Sequence, residues 1–175
     1  MKKLEFNEEN FDMLVERMHF LREEVKKYKY DHLTGLKLRK DFDEKLDRMY
    51  EAYEFEDQPF VFIMADADGL HNTNRTLGYD AGDELLITIS SELRAEFGDC
   101  KNVDIFRISG DEFAVLMTGE LCDDAINEKM KNVTSCSYAS VFMDTTECHP
   151  SPSSVFKCAD KKLTEVKMKN KQERI

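Results

Sequence analysis

Two pairs of closely spaced carboxylates follow apolar segments of this chain. Residues 109–113, with the sequence SGDEF, put Asp111 and Glu112 in a tight turn between two apolar runs. The apolar run 60–65 has the pattern of a buried strand and is followed by DADG at 66–69. Each element alone is also typical of an ordinary solvated turn. The two carboxylate pairs can form a site only if the fold brings them together.

The hydrophobic pattern predicts the elements that position these acids. It indicates helices over about 38–55, 80–97, 121–131 and 153–170, and strands over 59–66, 103–108, 113–118 and 133–142. Without the first helix the order is βαββαβ, which predicts an α/β, ferredoxin-like or palm-like fold with a central, mainly antiparallel sheet flanked by helices. A fifth strand within 144–152 is left open.

The predicted topology brings the acids to one place. A right-handed first crossover makes strands 59–66 and 103–108 parallel, with strand 113–118 antiparallel between them. The end of strand 59–66 and the turn 109–112 then share one edge of the sheet. We expect four carboxylates to converge there.

Clustered carboxylates repel one another and favour a cation that neutralises them. Oxygen ligands without a nearby His or Cys favour Mg²⁺ or Mn²⁺ over zinc. Magnesium commonly binds through one or two carboxylates together with substrate phosphates, which indicates nucleotide chemistry. The alternative is a solvated acidic edge that holds no ligand.

The chain resembles the GGDEF domains, the diguanylate cyclases that join two GTP molecules into cyclic di-GMP, over about residues 31–172. Residues 31–36 (DHLTGL) resemble the family's opening motif D-x-L-T-G-L. Residues 107–113 (RISGDEF) match R-x-G-G-D-E-F with one change. The intervening matches, at the family's spacing, are Asp66 and Asp68 followed by Asn74, Gly78, Gly82 and Asp83.

The resemblance implies roles for the acidic residues. Asp66 and Asp111 would be metal ligands, helped by the carbonyl of Ala67. Glu112 would be a further ligand or an acid that orients the others. Asp111 is also a candidate for deprotonating the attacking 3′-hydroxyl.

The resemblance further implies the substrate and the reaction. Asn74 and Asp83 match the positions that read guanine, and a carboxylate that accepts from N1–H and N2–H favours GTP over ATP. The 3′-oxygen of each GTP would attack the α-phosphate of the other and release pyrophosphate. Each subunit would hold one GTP, so activity should require a homodimer and rise steeply with enzyme concentration.

The sequence departs from the family pattern on the phosphate side. Ser109, beside Gly110, replaces the first glycine of the signature and adds a side chain where substrate passes close to backbone. His71 stands where the family has a lysine, so phosphate affinity should fall. In the C-terminal register Lys167 and Lys171 would contact the triphosphate, although a basic helix end favoured by the helix dipole explains them equally well.

These departures keep two other functions open. One is a degenerate domain with little turnover that binds GTP or docks a signalling partner, and the other is a purely structural dimerising domain. The family's product-inhibition motif R-x-x-D reads CKNV at 100–103. We therefore expect no feedback inhibition through that position.

Residues 1–30 are predicted to form an amphipathic helix that precedes the cyclase domain at 31–175. Its apolar residues follow a heptad pattern, with one seven-residue step and then alternating three- and four-residue steps: Leu4, Phe11, Leu14, Met18, Leu21, Val25 and Tyr28. This seam spans only about three heptads and would be marginal as an isolated pair. The helix is either a dimerising stalk or a helix packed on its own domain. An upstream sensor domain or a separate regulator would supply the signal.

Composition limits the partners and the compartment. The 25 basic and 36 acidic residues give a formal charge of −11, which disfavours nucleic acid and anionic membrane as partners. No apolar run approaches the about 18 residues of a membrane span and no secretory signal is visible, so we expect a cytoplasmic protein without direct membrane insertion. The resemblance to the GGDEF domains implies a bacterial protein. The five cysteines show no CxxC spacing and are expected to be free thiols.

Overall fold

A central sheet with helices on both faces builds the domain. The computed structural model describes residues 8–100, 102–119, 122–144 and 149–173. The helices are α1 (Glu8–Lys29), α2 (Arg39–Glu56), α3 (Leu70–Leu77), α4 (Tyr79–Phe97), α5 (Asp123–Met130) and α6 (Pro152–Glu173). The strands are β1 (Lys37–Leu38), β2 (Phe60–Ala67), β3 (Asp104–Arg107), β4 (Glu112–Thr118) and β5 (Cys136–Met143).

The sheet has five strands in the order β1-β3-β4-β2-β5. β4 is antiparallel to both β3 and β2, so β2 and β3 run in the same direction with β4 between them. β5 is antiparallel to β2 on its other side. The predicted α/β fold with a βαββαβ core is confirmed.

The sequence pattern did not predict two of the elements. The fifth strand is β1, which pairs in parallel with β3, and the described residues of 144–152 contain no strand. Residues 145–148 lie outside the described part of the chain. β1 is two residues long, too short to show alternation, and Lys37 at its start pairs with Asp104 of β3. The second missed element is α3, whose eight-residue sequence LHNTNRTL has apolar residues only at its two ends and buries none of its residues.

β2 lies at the centre of two hydrophobic layers. All eight of its residues are buried, as expected for a strand covered on both faces. Alternate side chains enter opposite layers. One layer contains Phe42, Leu46 and Met49 of α2 with Val155, Ala159 and Leu163 of α6. The other contains Leu86, Ile89 and Leu93 of α4 with Ile126 and Met130 of α5.

The apolar seam of α1 is exposed. Its described members are Phe11, Leu14, Met18, Leu21, Val25 and Tyr28, with exposed fractions from 45% to 78%. The helix therefore does not bury this seam against its own domain. Leu4 lies outside the described residues, and the division of the chain at residue 30 stays a prediction.

The cysteine prediction also has a structural counterpart. Cys100, Cys122, Cys136 and Cys158 are free. Cys148 lies outside the described residues. Burial raises the pKa of the Cys136 thiol to about 12, so this sulfur is held in its protonated form at neutral pH.

Replacing Phe62 should test the α2–α6 layer. Phe62 has no exposed surface, and its ring lies 5.3 Å from that of Phe42 and 6.1 Å from that of Phe156. Phe62→Ala should lower the free energy of unfolding by about 3–5 kcal/mol, measured by urea denaturation. Phe55→Ala is the matched control, because Phe55 is 80% exposed. Equal effects at the two positions would contradict this packing.

Candidate active site

The pairing of β2 with β4 brings the two acidic segments together. Asp66 on β2 lies directly opposite Glu112 on β4. The backbone N–H of Ala67 donates to the carbonyl oxygen of Asp111 at 2.9 Å. Acids more than forty positions apart in sequence therefore meet at one edge of the sheet, as the predicted topology requires.

Asp66 is the buried member of this group. Only 7% of its surface is exposed, and the Lys167 Nζ lies 2.5 Å from its Oδ1. Burial raises the pKa of Asp66, the ammonium of Lys167 opposes that effect, and repulsion from Asp111 and Asp68 adds to it, so the pKa is raised overall. The site therefore carries more negative charge than its lysine neutralises.

Glu112 experiences the same excess of negative charge. Burial raises its pKa, and repulsion from Asp111, Asp66 and Asp160 raises it further. Arg39 opposes this effect without cancelling it. A divalent cation at this edge would relieve the repulsion that both acids experience.

The donor set suits magnesium or manganese. Asp66, Asp111, Glu112 and the carbonyl of Ala67 supply only oxygen atoms, which Mg²⁺ and Mn²⁺ prefer. Within the described ranges, no group of three or more His, Cys, Asp and Glu side chains has the spacing of a preformed metal cluster. The chemistry of the donor set fits such a cation, which would compete with Lys167 for Asp66.

One arginine holds the signature turn. Arg107 donates from Nε and Nη2 to the carbonyl of Gly110, at 3.2 Å and 2.7 Å. Its Nη1 lies 2.9 Å from Asp31 Oδ1, which also accepts from the N–H and hydroxyl of Thr34. Burial would raise the pKa of Asp31, but these hydrogen bonds outweigh it and the pKa is lowered. Arg107 thus connects the DHLTGL segment to the turn.

The backbone of the signature turn is accessible from solvent. Ser109 and Gly110 are both exposed, and the N–H groups of Ile108 and Ser109 donate to the carbonyl of Glu112. A Cβ at Gly110 would meet no atom within 4 Å. Packing within the chain therefore does not require glycine there, whereas a ligand close to this backbone would.

A cleft of about 390 Å³ separates the end of β2 from α6. We call it the β2–α6 cleft; it is lined by Asp66, Ala67, Asp68, Gly69, Ser137, Lys167, Asn170 and Lys171. Both predicted phosphate-binding lysines therefore face the acidic edge. Their separation on α6 is four residues, which places them on one face of the helix.

Ser137 and Asn170 were not predicted as site residues. The Ser137 hydroxyl donates to Asp68 Oδ1 at 2.7 Å, and Asn170 Nδ2 lies 3.3 Å from that hydroxyl. This chain of contacts connects β2, β5 and α6 beside the acids. Ser137 looks like an ordinary strand residue in sequence, but Asn170 immediately precedes Lys171 and could have been found from that spacing.

The other predicted residues lie on the helix pair that follows β2. His71 is exposed in the first turn of α3 and is not among the residues that line the β2–α6 cleft. Asn74 lies further along α3, and its Oδ1 is buried without a hydrogen-bond partner among the described residues. Asp83 is exposed near the start of α4. The structure thus groups the acids with the lysines, and groups Asn74 and Asp83 at the α3–α4 junction.

Comparisons with known proteins agree with the fold. The family model described as diguanylate cyclase, GGDEF domain, matches residues 28–173. The coiled coil and GGDEF domain of DgcB from Caulobacter crescentus, solved with c-di-GMP, is 22% identical with a TM-score of 0.77 and 91% coverage of both chains. The GGDEF domain of FimX from Pseudomonas aeruginosa is 19% identical with a TM-score of 0.72, covering 81% of this chain and 94% of that one.

A third similar structure contains a regulator. Diguanylate cyclase SiaD, in complex with its activator SiaC from Pseudomonas aeruginosa, is 23% identical with a TM-score of 0.71. The match covers 92% of this chain and 66% of that one. All three structures are less than 25% identical to this chain, so the comparison with them shows a shared fold.

The curated relatives are longer proteins. An uncharacterized membrane protein of Staphylococcus haemolyticus is 32% identical over 98 residues, and one of Staphylococcus aureus is 33% identical over 98 residues. Each match covers 56% of this chain but 27% of the relative. None of the helices in the described ranges is long and apolar enough to cross a bilayer. The expected cytoplasmic location stays a prediction.

The excess negative charge should be measurable through Glu112. Its pKa is raised in the folded chain, so ionised Glu112 destabilises the fold at pH 7, and the effect disappears as the pH falls below the unfolded value. In buffer that contains a chelator to remove divalent cations, Glu112→Gln should therefore raise the melting temperature at pH 7 by on the order of 1 °C. The gain should vanish near pH 4.

Glu51→Gln is the control for this measurement, because Glu51 is an exposed acid on α2. It should leave the melting temperature unchanged at both pH values. A Glu112→Gln variant that is less stable than the unmodified protein at pH 7 would contradict the repulsion at this edge.

Proposed function

The chain belongs to the GGDEF family of diguanylate cyclase domains, and from this premise we propose that it condenses two GTP molecules into cyclic di-GMP and releases pyrophosphate. The observation that carries the proposal is the juxtaposition of Asp66 with Glu112 across the β2–β4 pair. Lys167 and Lys171 face the same edge from α6. Acids that hold a cation and lysines that hold phosphates are the groups that phosphoryl transfer needs.

The acidic residues hold the metal and handle the proton. Asp66, Asp111, Glu112 and the Ala67 carbonyl would bind Mg²⁺ or Mn²⁺, which when present neutralises the triphosphate and polarises the attacked phosphorus. Asp111 accepts the proton of the 3′-hydroxyl as that oxygen attacks the α-phosphate. The bond from the α-phosphorus to the bridging oxygen breaks, and pyrophosphate leaves.

The lysines and the turn position the phosphates. Lys167 leaves Asp66 and pairs with the triphosphate, and Lys171 contributes a second positive charge one helical turn away. The exposed backbone of Ser109 and Gly110 lies where the nucleotide passes. His71 stands in place of the family's lysine and does not line the β2–α6 cleft, so phosphate binding rests mainly on α6 and the cation.

The α3–α4 junction recognises the base. Asp83 accepts from guanine N1–H and N2–H, which adenine lacks. Asn74 contacts the ring edge. This assigns nucleotide selectivity to a part of the chain separate from the acids that bind the cation.

Turnover requires two chains. Each site holds one GTP, and the reaction joins two, so the sites of a homodimer must face each other. The exposed seam of α1 supports dimerisation through this helix, since apolar residues at a and d positions pack between two parallel helices. A sensor domain or a separate activator would act by changing how the two sites meet.

We propose that the domain works in the cytoplasm, where GTP is found. The relatives named as membrane proteins are consistent with a cytoplasmic domain attached to a membrane-embedded segment, because this chain matches only about a quarter of their length. Its charge of −11 makes direct contact with an anionic membrane or nucleic acid unfavourable.

A GTP-binding signalling module with little turnover is the second candidate. It is favoured by Ser109 and His71 on the phosphate side and by Lys167, which already forms an ion pair with Asp66 in this structure. Calorimetric titration with GTP separates this module from a purely structural domain. A product assay separates it from the cyclase.

Removing the Asp111 carboxylate should abolish turnover. Incubation with GTP and Mn²⁺ or Mg²⁺ should yield cyclic di-GMP, measured by chromatography, with a rate per subunit that rises with protein concentration. Asp111→Asn should reduce that rate by at least about 100-fold, because both metal binding and proton transfer use this carboxylate. Its melting curve should stay close to that of the unmodified protein, since the bond between Ala67 and residue 111 uses the backbone carbonyl.

Asp99→Asn is the matched control for Asp111→Asn, because Asp99 is exposed and does not line the β2–α6 cleft. Its rate should be unchanged. An Asp111→Asn variant with full activity would remove Asp111 from the mechanism, and absence of product with bound GTP would favour the signalling module.

Asp83→Ser should relax the selectivity for guanine. The change removes the carboxylate that pairs with N1–H and N2–H, so GTP should bind about tenfold more weakly while ATP binding changes little. Calorimetric titrations with both nucleotides in Mg²⁺ measure this ratio. Exposed Asp80 on the same helix provides the control, as Asp80→Ser. A ratio that is unchanged in Asp83→Ser would exclude Asp83 from base recognition.

A further inference from the structure

We propose that Gly82 is a positioning residue that fixes the side-chain amide of Asn74 in one orientation for base recognition. This inference rests on the proposed role of the α3–α4 junction. Asn74 is on α3, and Gly82 is on α4 immediately before Asp83. The contact between them would therefore set the two base-reading residues relative to each other.

The space at residue 82 admits only a hydrogen. A Cβ there would lie 1.8 Å from Asn74 Oδ1, 2.8 Å from Asn74 Cγ and 3.1 Å from Leu70 Cδ1. No alanine can be accommodated unless the Asn74 side chain moves. Because the obstructing atoms are the end of a side chain, a substitution would displace that amide before it displaced backbone.

Backbone conformation does not explain this glycine. Gly82 is buried inside α4, and its φ is not in the left-handed region. Glycine within a helix is unfavourable relative to alanine because it loses more conformational freedom on folding. The side-chain contact with Asn74 is the feature that requires it.

The contact also orients the amide. Asn74 Oδ1 is buried and has no conventional donor in the described part of the chain. The Gly82 hydrogen that takes the place of a Cβ points at this oxygen, which is the arrangement of a weak Cα–H···O contact. An NH₂ group would turn its own hydrogens toward that C–H, so the oxygen is the favoured end.

This orientation turns Asn74 Nδ2 away from Gly82. Asn74 then offers a donor, and Asp83, the residue after Gly82, offers an acceptor. Guanine complements that pair, because it carries ring and carbonyl acceptors as well as the N1–H and N2–H donors. Gly82 thus couples the helix packing of α3 on α4 to the pattern of hydrogen bonds that the junction presents.

A double-mutant cycle on the ligand-free protein tests the contact. Gly82→Ala should lower the melting temperature in the unmodified protein, because its Cβ displaces the Asn74 amide. In an Asn74→Ala background the same change should lower the melting temperature by less, because the contact with Asn74 Oδ1 is gone and only Leu70 Cδ1, at 3.1 Å, remains close. Equal losses in both backgrounds would overturn the proposal.

Titration with GTP and Mg²⁺ tests the functional role. Gly82→Ala should weaken GTP binding about tenfold, as much as Asn74→Ala, and the double variant should bind no more weakly than Asn74→Ala alone. Additive losses, or full affinity in Gly82→Ala, would overturn the positioning role. If the unmodified protein binds no GTP, the proposed function and base recognition both fail, while the stability cycle still decides whether the contact constrains Asn74.

Discussion

The antiparallel pairing of β2 with β4 is the constraint on which the site depends. Its register places Asp66 opposite Glu112, and the bond from the Ala67 N–H to the Asp111 carbonyl extends the pairing into the signature turn. A shift of one residue would turn these side chains to the other face of the sheet. The two hydrophobic layers on β2 oppose such a shift, because all eight residues of the strand are buried. Core packing therefore fixes the position of the acids.

The signature turn has a second support outside the sheet. Arg107 contacts both the carbonyl of Gly110 and the carboxylate of Asp31, which follows α1. The pKa of Asp31 is lowered despite its burial, so this carboxylate stays charged at neutral pH and keeps the pair intact. The turn is thus held from the segment that joins the exposed helix to the domain, as well as from the strands on either side.

The fold and the convergence of the two acidic segments could be predicted from the sequence because both depend on strong, local patterns. The apolar run 60–65 and the SGDEF turn marked strand ends. The rule that crossover connections are right-handed then placed both ends at one edge of the sheet. The sequence pattern missed α3 because the eight residues of that helix contain only two apolar side chains, one at each end, and it missed β1 because two residues cannot alternate. The pairing of Lys167 with Asp66 and the contact of Gly82 with Asn74 arise from tertiary packing. No spacing within one element could indicate either of them.

The pair formed by Lys167 and Asp66 has a thermodynamic consequence. A cation that binds alone must displace an ammonium from a largely buried carboxylate, whereas a triphosphate offers that ammonium a new partner. On the proposed function, metal and nucleotide should therefore bind with positive cooperativity, each raising the affinity for the other by the same factor. Such heterotropic linkage would make the metal's apparent dissociation constant fall as the nucleotide concentration rises.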